Sequence, residues 1–171
     1  MFIALCTPEV WTTRDEFEAS RFIASLKHIL SGDDVIAFGA YEPGEITTRE
    51  LSDMGASAVD AEEVYHSCFR ANRDIHPRGR SFELLATEVA LRRLAQMAIR
   101  PDGQTDKPLF FDHFVAYRRA CETVPLMCFH DAFNGGLLHL STHNAEAKVA
   151  AFAVSLGVTF RPVSNPENAI S

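Results

Sequence analysis

No CxxC pair, HExxH helix, GxSxG elbow or GxxxxGK[ST] loop occurs in this chain. Their absence removes the compact zinc motifs, the hydrolase nucleophile turn and the Walker phosphate loop as starting points. Long apolar runs are missing as well. Stretches such as Val149–Leu156 fall far short of the roughly 20 residues that span a bilayer. Lysine is scarce, with three against thirteen arginines, and the net charge is −7. A general nucleic-acid binder needs a broad basic face, so that class is set aside. Residues 1–10 (MFIALCTPEV) carry no basic n-region and are broken by Pro8, so no secretory signal is read and a cytoplasmic location is expected.

What remains is an ordinary globular composition. The chain has 171 residues, of which 47% are hydrophobic and 23% charged. That length buries enough surface to fold without a metal or a disulfide. The four cysteines, Cys6, Cys68, Cys121 and Cys128, read as reduced thiols. A single domain over 1–165 with a mobile tail over 166–171 is expected. Charge is segregated. Seven of the thirteen arginines lie between Arg70 and Arg100, while Glu42–Glu63 holds seven acids and one arginine. Two mutually attracting solvated faces explain this, and so does a local cationic site within an acidic protein.

The element pattern predicts an α/β or α+β domain. A mixed sheet of five or six strands is expected, flanked by three or four helices. Phe2–Cys6 reads as a strand. Thr13 and Glu16 form a capping-box pattern, and the helix after it places Phe22, Leu26, Ile29 and Leu30 on one face. Val35–Tyr41 reads as a second strand, and 42–60 as polar turns. Asp60–Ile75 fits a helix or a strand equally. Ser81 is a suitable N-cap for a long helix from Phe82 to Ile99, in which Glu88 and Arg92 pair at i,i+4. Leu109–Tyr117 reads as a strand or as the lead into a short helix through Arg118–Glu122, and Pro125–Phe133 and Leu137–Ser141 read as strands joined at Asn134-Gly135-Gly136. Thr142 or Asn144 would cap a helix from Ala145 to Leu156, stopped by Gly157, with Val158–Val163 as a final strand.

The most function-like local arrangement is His76-Pro77-Arg78-Gly79-Arg80-Ser81. A glycine turn running into a helix start aims free N–H groups at one point, and two arginines add charge, as an anion site requires. The segment Pro77-Arg78-Gly79-Arg80-Ser81-Phe82-Glu83-Leu84-Leu85 resembles the pyrophosphate-binding turn and helix of the GCN5-related N-acetyltransferase (GNAT) superfamily. Asn144-Ala145-Glu146-Ala147, with Phe152 and Leu156-Gly157-Val158, resembles the same family's later helix and strand. His76 stands where that family carries Gln or Arg, and Ser81 where it carries Gly or Ala. The resemblance implies an acyl-CoA whose phosphates sit on Arg78, Gly79, Arg80 and Ser81, with Asn144 near the pantetheine arm. It implies acyl transfer to an amine through an unassigned general base.

Other constellations are weaker. His130 and His139 could face each other across a hairpin beside Asp131, Asp112, His113 and His143, but the spacing matches no metal signature, and no metal is expected. Cys128 and His130 share a strand face at a separation too long for a thiol–imidazole pair. Phe110, Phe111, Phe114, Phe129 and Phe133 fit a core, a pocket lining or a dimer face. Two functions follow. One is a binder of an anionic cofactor or small molecule, in its fullest form an acyl-CoA-dependent N-acyltransferase-like enzyme. The other is a non-catalytic protein-interaction or homodimerisation domain. No membrane association is expected from either.

Overall fold

The computed structural model describes residues 9–40, 45–59, 80–99, 111–119, 121–130, 132–133 and 137–164. The readings of Phe2–Cys6, Asp60–Ile75, the break before Arg80 and the tail over 166–171 fall outside these residues. The strands are β1 (Glu9–Thr13), β2 (Asp34–Ala40), β3 (Ser57–Val59), β4 (Arg80–Leu85), β5 (Phe111–Arg118), β6 (Cys121–His130), β7 (Leu138–Ser141) and β8 (Arg161–Ser164). The helices are α1 (Ala19–Ser25), continued by a 3-10 turn over Leu26–His28, α2 (Glu45–Asp53), α3 (Glu88–Met97) and α4 (Glu146–Leu156).

Among the described residues, eight strands join one sheet in the order β3-β4-β2-β5-β6-β7-β1-β8. Every neighbouring pair is antiparallel. The class is α+β, but the expected mixed sheet of five or six strands is corrected on both number and direction. The unexpected strands come from three segments, the first being β1 over Glu9–Thr13, where only the lead into a helix is expected. The polar stretch 42–60 contains α2 and β3, and the expected helix from Phe82 begins as β4. In β4, Ser81, Phe82 and Leu84 are buried while Glu83 is half-buried and Leu85 exposed. Phe82 and Leu84 go to one face, which is the period of a strand. The helix starts at Thr87, whose hydroxyl accepts the Ala90 amide at 3.2 Å. Thr87, not Ser81, is therefore the N-cap. The expected Glu88–Arg92 pair forms at 2.8 Å on the exposed side of α3.

The larger core lies between one face of the sheet and the helices. It joins Phe22, Ile23, Leu26 and Ile29 to Ile36 and Phe38 of β2, Phe114 of β5, Phe129 of β6, Leu94 of α3 and Phe152 of α4. α1 packs against both α3 and α4. Its expected apolar face is present, with Phe22, Leu26, Ile29 and Leu30 all buried. Its start is not the capping box. The Thr13 hydroxyl accepts the Asp15 amide in a local turn, and Glu18 is the N-cap without a side-chain bond. Phe111, Phe114 and Phe129 are buried here, so these rings build the core and are not free to form a dimer face.

A smaller cluster, Val10, Val35, Ala37, Val115, Tyr117 and Cys128, lies on the opposite sheet face. Burial of all seven residues of β2 shows that the centre of the sheet is covered on both sides. α4 ends as expected at Gly157, whose φ of 78° is the left-handed stop glycine supplies. The last strand starts at Arg161, three residues after the expected Val158.

Candidate functional site

Arg78 and Gly79 lie outside the described residues. Arg80 and Ser81 belong to β4, and the nearest downstream helix starts at Glu88. The helix amides expected to complete an anion site at Ser81 are therefore elsewhere. Arg80 is exposed. Ser81 is buried, and its hydroxyl shares a 3.4 Å hydrogen bond with Nε2 of the fully buried His113. Their strands flank β2, so the two backbones are about 9–10 Å apart. The contact passes over Gly39, which pairs with Ser81 at the point where the register of β2 against β5 shifts. Tyr117 reaches across β2 in the same way, its hydroxyl donating to the Glu83 carboxylate at 2.6 Å.

The strand register also corrects one expectation about histidines. The register sets His139 opposite Cys128 and His130 opposite His113, so His130 and His139 are not cross-strand partners. The imidazole beside the buried Cys128 thiol is carried by the adjacent strand, β7. His139 Nδ1 is buried and finds no hydrogen-bond partner among the described residues. Burial holds this imidazole below its usual 6.5. The unfolded chain therefore takes up the proton first. The stability linked to neutral His139 is complete above about pH 6.5 and is lost as pH falls towards the lowered folded value. Thermal melts between about pH 8 and pH 5 test this. His139→Gln should flatten the acid loss of melting temperature relative to the parent, and identical slopes would contradict it.

The expected binding residue Asn144 lies in a different setting. It is not the cap of α4, because the N-cap is Ala145. Its side chain is buried, and Nδ2 donates to the Leu126 carbonyl at 2.7 Å and the Ser141 carbonyl at 2.9 Å. These bonds fix the turn that leads into α4. Asn144 also lines a cleft of about 610 Å³, together with Arg118 and Arg119 from the end of β5, His143, Ala145 and Lys148 at the start of α4, and Asp33 and Asp34 at the start of β2. Ala145 has no side chain able to cap; the Lys148 amide turns back to the Ala145 carbonyl at 2.9 Å, which leaves the Glu146 and Ala147 amides for solvent or a ligand. Arg118, Arg119, His143 and Lys148 are exposed, and the Lys148 ammonium donates to the Ile29 carbonyl at 3.5 Å. Asp34 is engaged internally, its carboxylate accepting the Ser31 amide at 2.7 Å. The cleft is thus a locally cationic site in an acidic chain.

Sequence reading missed Arg118, Arg119 and Lys148. The only local signal was the Arg-Arg doublet closing a strand. The cleft is assembled from three segments separated by more than a hundred residues in all, so no contiguous motif encodes it. Among the described residues, no three His, Cys, Asp or Glu side chains gather to hold a metal ion, and no helix is long and apolar enough to cross a membrane. No family model, curated protein or solved structure matches the chain.

Proposed function

We propose that this protein binds a small anionic ligand in the cleft at the start of α4. The observation that carries the reading is the convergence of Arg118, Arg119 and Lys148 on an uncapped helix N-terminus in a chain of net charge −7. Guanidinium groups and free amides both favour phosphate or carboxylate oxygens. Asn144 holds the turn that presents those amides. The acyl-CoA implied by the GNAT resemblance belongs to this ligand class. The resemblance places its phosphates on Arg78, Gly79, Arg80 and Ser81; in the present reading they would instead meet Arg118 and Arg119, with Asn144 near the pantetheine. The transfer reaction itself has no assigned base.

Calorimetric titration with coenzyme A and with inorganic phosphate tests the reading. The double variant Arg118→Ala/Arg119→Ala should weaken binding by tenfold or more, since a charge-assisted hydrogen bond contributes about 1.5–3 kcal/mol. Arg92→Ala, on the exposed side of α3, serves as the control and should bind as the parent does. Binding that is absent for both ligands, or equal in parent and double variant, would overturn the proposal.

A further inference from the structure

A second cleft, of about 680 Å³, opens at the other end of α4, between Leu156-Gly157 and the connection from β1 to α1. Its volume falls within the range of small-molecule sites. Phe129 forms the buried floor, and the half-buried rings of Phe17 and Phe133 stand beside it at centroid distances of 5.6 and 5.1 Å. Phe17 and Phe133 meet edge-on at 6.0 Å. Both therefore keep ring surface at the cleft while the rest packs into the core.

Phe133 is held at a cost. Its φ is 67°, a left-handed conformation that disfavours a bulky side chain by about 1–2 kcal/mol. Packing against Phe22, Phe111, Phe17 and Phe129 fixes the ring there. The aromatic wall is thus set before any ligand arrives, which lowers the entropic cost of binding.

The rim decides the charge of the occupant. Arg21 is engaged with the end of α4. Its Nε donates to the Ser155 carbonyl at 3.1 Å, and its guanidinium lies directly over Gly157. Asp15 accepts the Thr159 amide at 2.7 Å, and its charge offsets that of Arg21. That leaves two carboxylates, Glu16 and Glu18, against one cation, Arg14, in the lining, all three exposed. The excess charge is negative, beside aromatic rings whose faces attract cations.

We propose that this cleft binds a small organic ammonium ion bearing a flat aromatic ring. The ring stacks against Phe17 and Phe133, and the ammonium lies between Glu16 and Glu18. This site is independent of the anion cleft.

Titration of the intact protein with phenethylamine, followed by NMR of the Phe ring signals, tests the proposal. Saturable shifts at Phe17 and Phe133 are expected. Phenylpropanoate, with the ring and the opposite charge, should bind at least about tenfold more weakly, and so should butylamine, with the charge and no ring. Glu16→Gln/Glu18→Gln and Phe17→Leu should each weaken phenethylamine about fivefold or more, whereas Arg118→Ala/Arg119→Ala should leave it unchanged. Absence of saturation, shifts confined to other residues, or equal affinity for phenylpropanoate would overturn the assignment.

Discussion

Phe22→Ala is expected to lower stability by about 3–5 kcal/mol, the range for deleting a fully buried aromatic side chain. Phe22 is fully buried on α1. Its ring lies 5.2 Å from that of Phe114, 5.5 Å from Phe129, 5.6 Å from Phe133, 5.7 Å from Phe17 and 6.1 Å from Phe152. Those rings come from β5, β6, the turn after β6, the β1–α1 connection and α4. One truncation therefore loosens the contact of α1 with the sheet and with α4 together. Neighbouring rings on separate elements cannot all close over the vacated space, so a cavity term adds to the lost transfer energy. A domain of this size has about 5–15 kcal/mol to lose. Urea unfolding should show a large fall in midpoint for Phe22→Ala and a fall of under about 1.5 kcal/mol for the volume-sparing Phe22→Leu. A near-neutral Phe22→Ala would mean that the rings do not pack as described.

Gly39→Val should cost about 2–4 kcal/mol, because it combines overpacking with the loss of a buried polar contact. Gly39 is not at a positive φ, so its backbone would accept other residues. The constraint is space. Phe38 and Ala40 point into the larger core, so a side chain at 39 would project onto the opposite face, where His113 reaches Ser81. Glycine inside a strand commonly marks such a close approach or a bulge, and the register shift beside Gly39 shows the second as well. The imidazole signal of His113 reports the contact directly. In Gly39→Val it should move together with the fall in urea midpoint, and Gly39→Ala should give a smaller loss. A stable Gly39→Val protein with an unshifted His113 signal would refute the arrangement.

The sequence revealed elements where one physical signal dominated. The helical spacing of Phe22, Leu26, Ile29 and Leu30, the apolar run of β2 and the glycine after Leu156 each pointed one way. Reading failed where two signals competed. Leu84, Leu91 and Leu94 satisfy a helical period, and Ser81 is a good cap, so β4 was absorbed into α3. The alternation over Phe82–Leu85 and the Thr87-Glu88 start were the weaker but correct cues. α2 was hidden by composition. Its nine residues, EITTRELSD, include three β-branched side chains, and among the described side chains Thr47 and Leu51 are buried. Of the expected binding residues, Asn144 lines the cleft at α4, and Ser81 lies buried in β4 against His113. The charges that make the cleft sit at the ends of β5 and α4, where only the antiparallel sheet brings them together.

The placement of β1 carries a consequence for biosynthesis. β1 lies between β7 and β8, and the Thr12 hydroxyl donates to the Leu138 carbonyl across 126 positions of chain. This strand leaves the ribosome long before either of its neighbours exists. Val10 and Trp11 must wait for residues 138–164 before they can pair, and the sheet closes at that end only then. Ordering so distant a pair makes assembly slow and exposes the nascent chain to sticking.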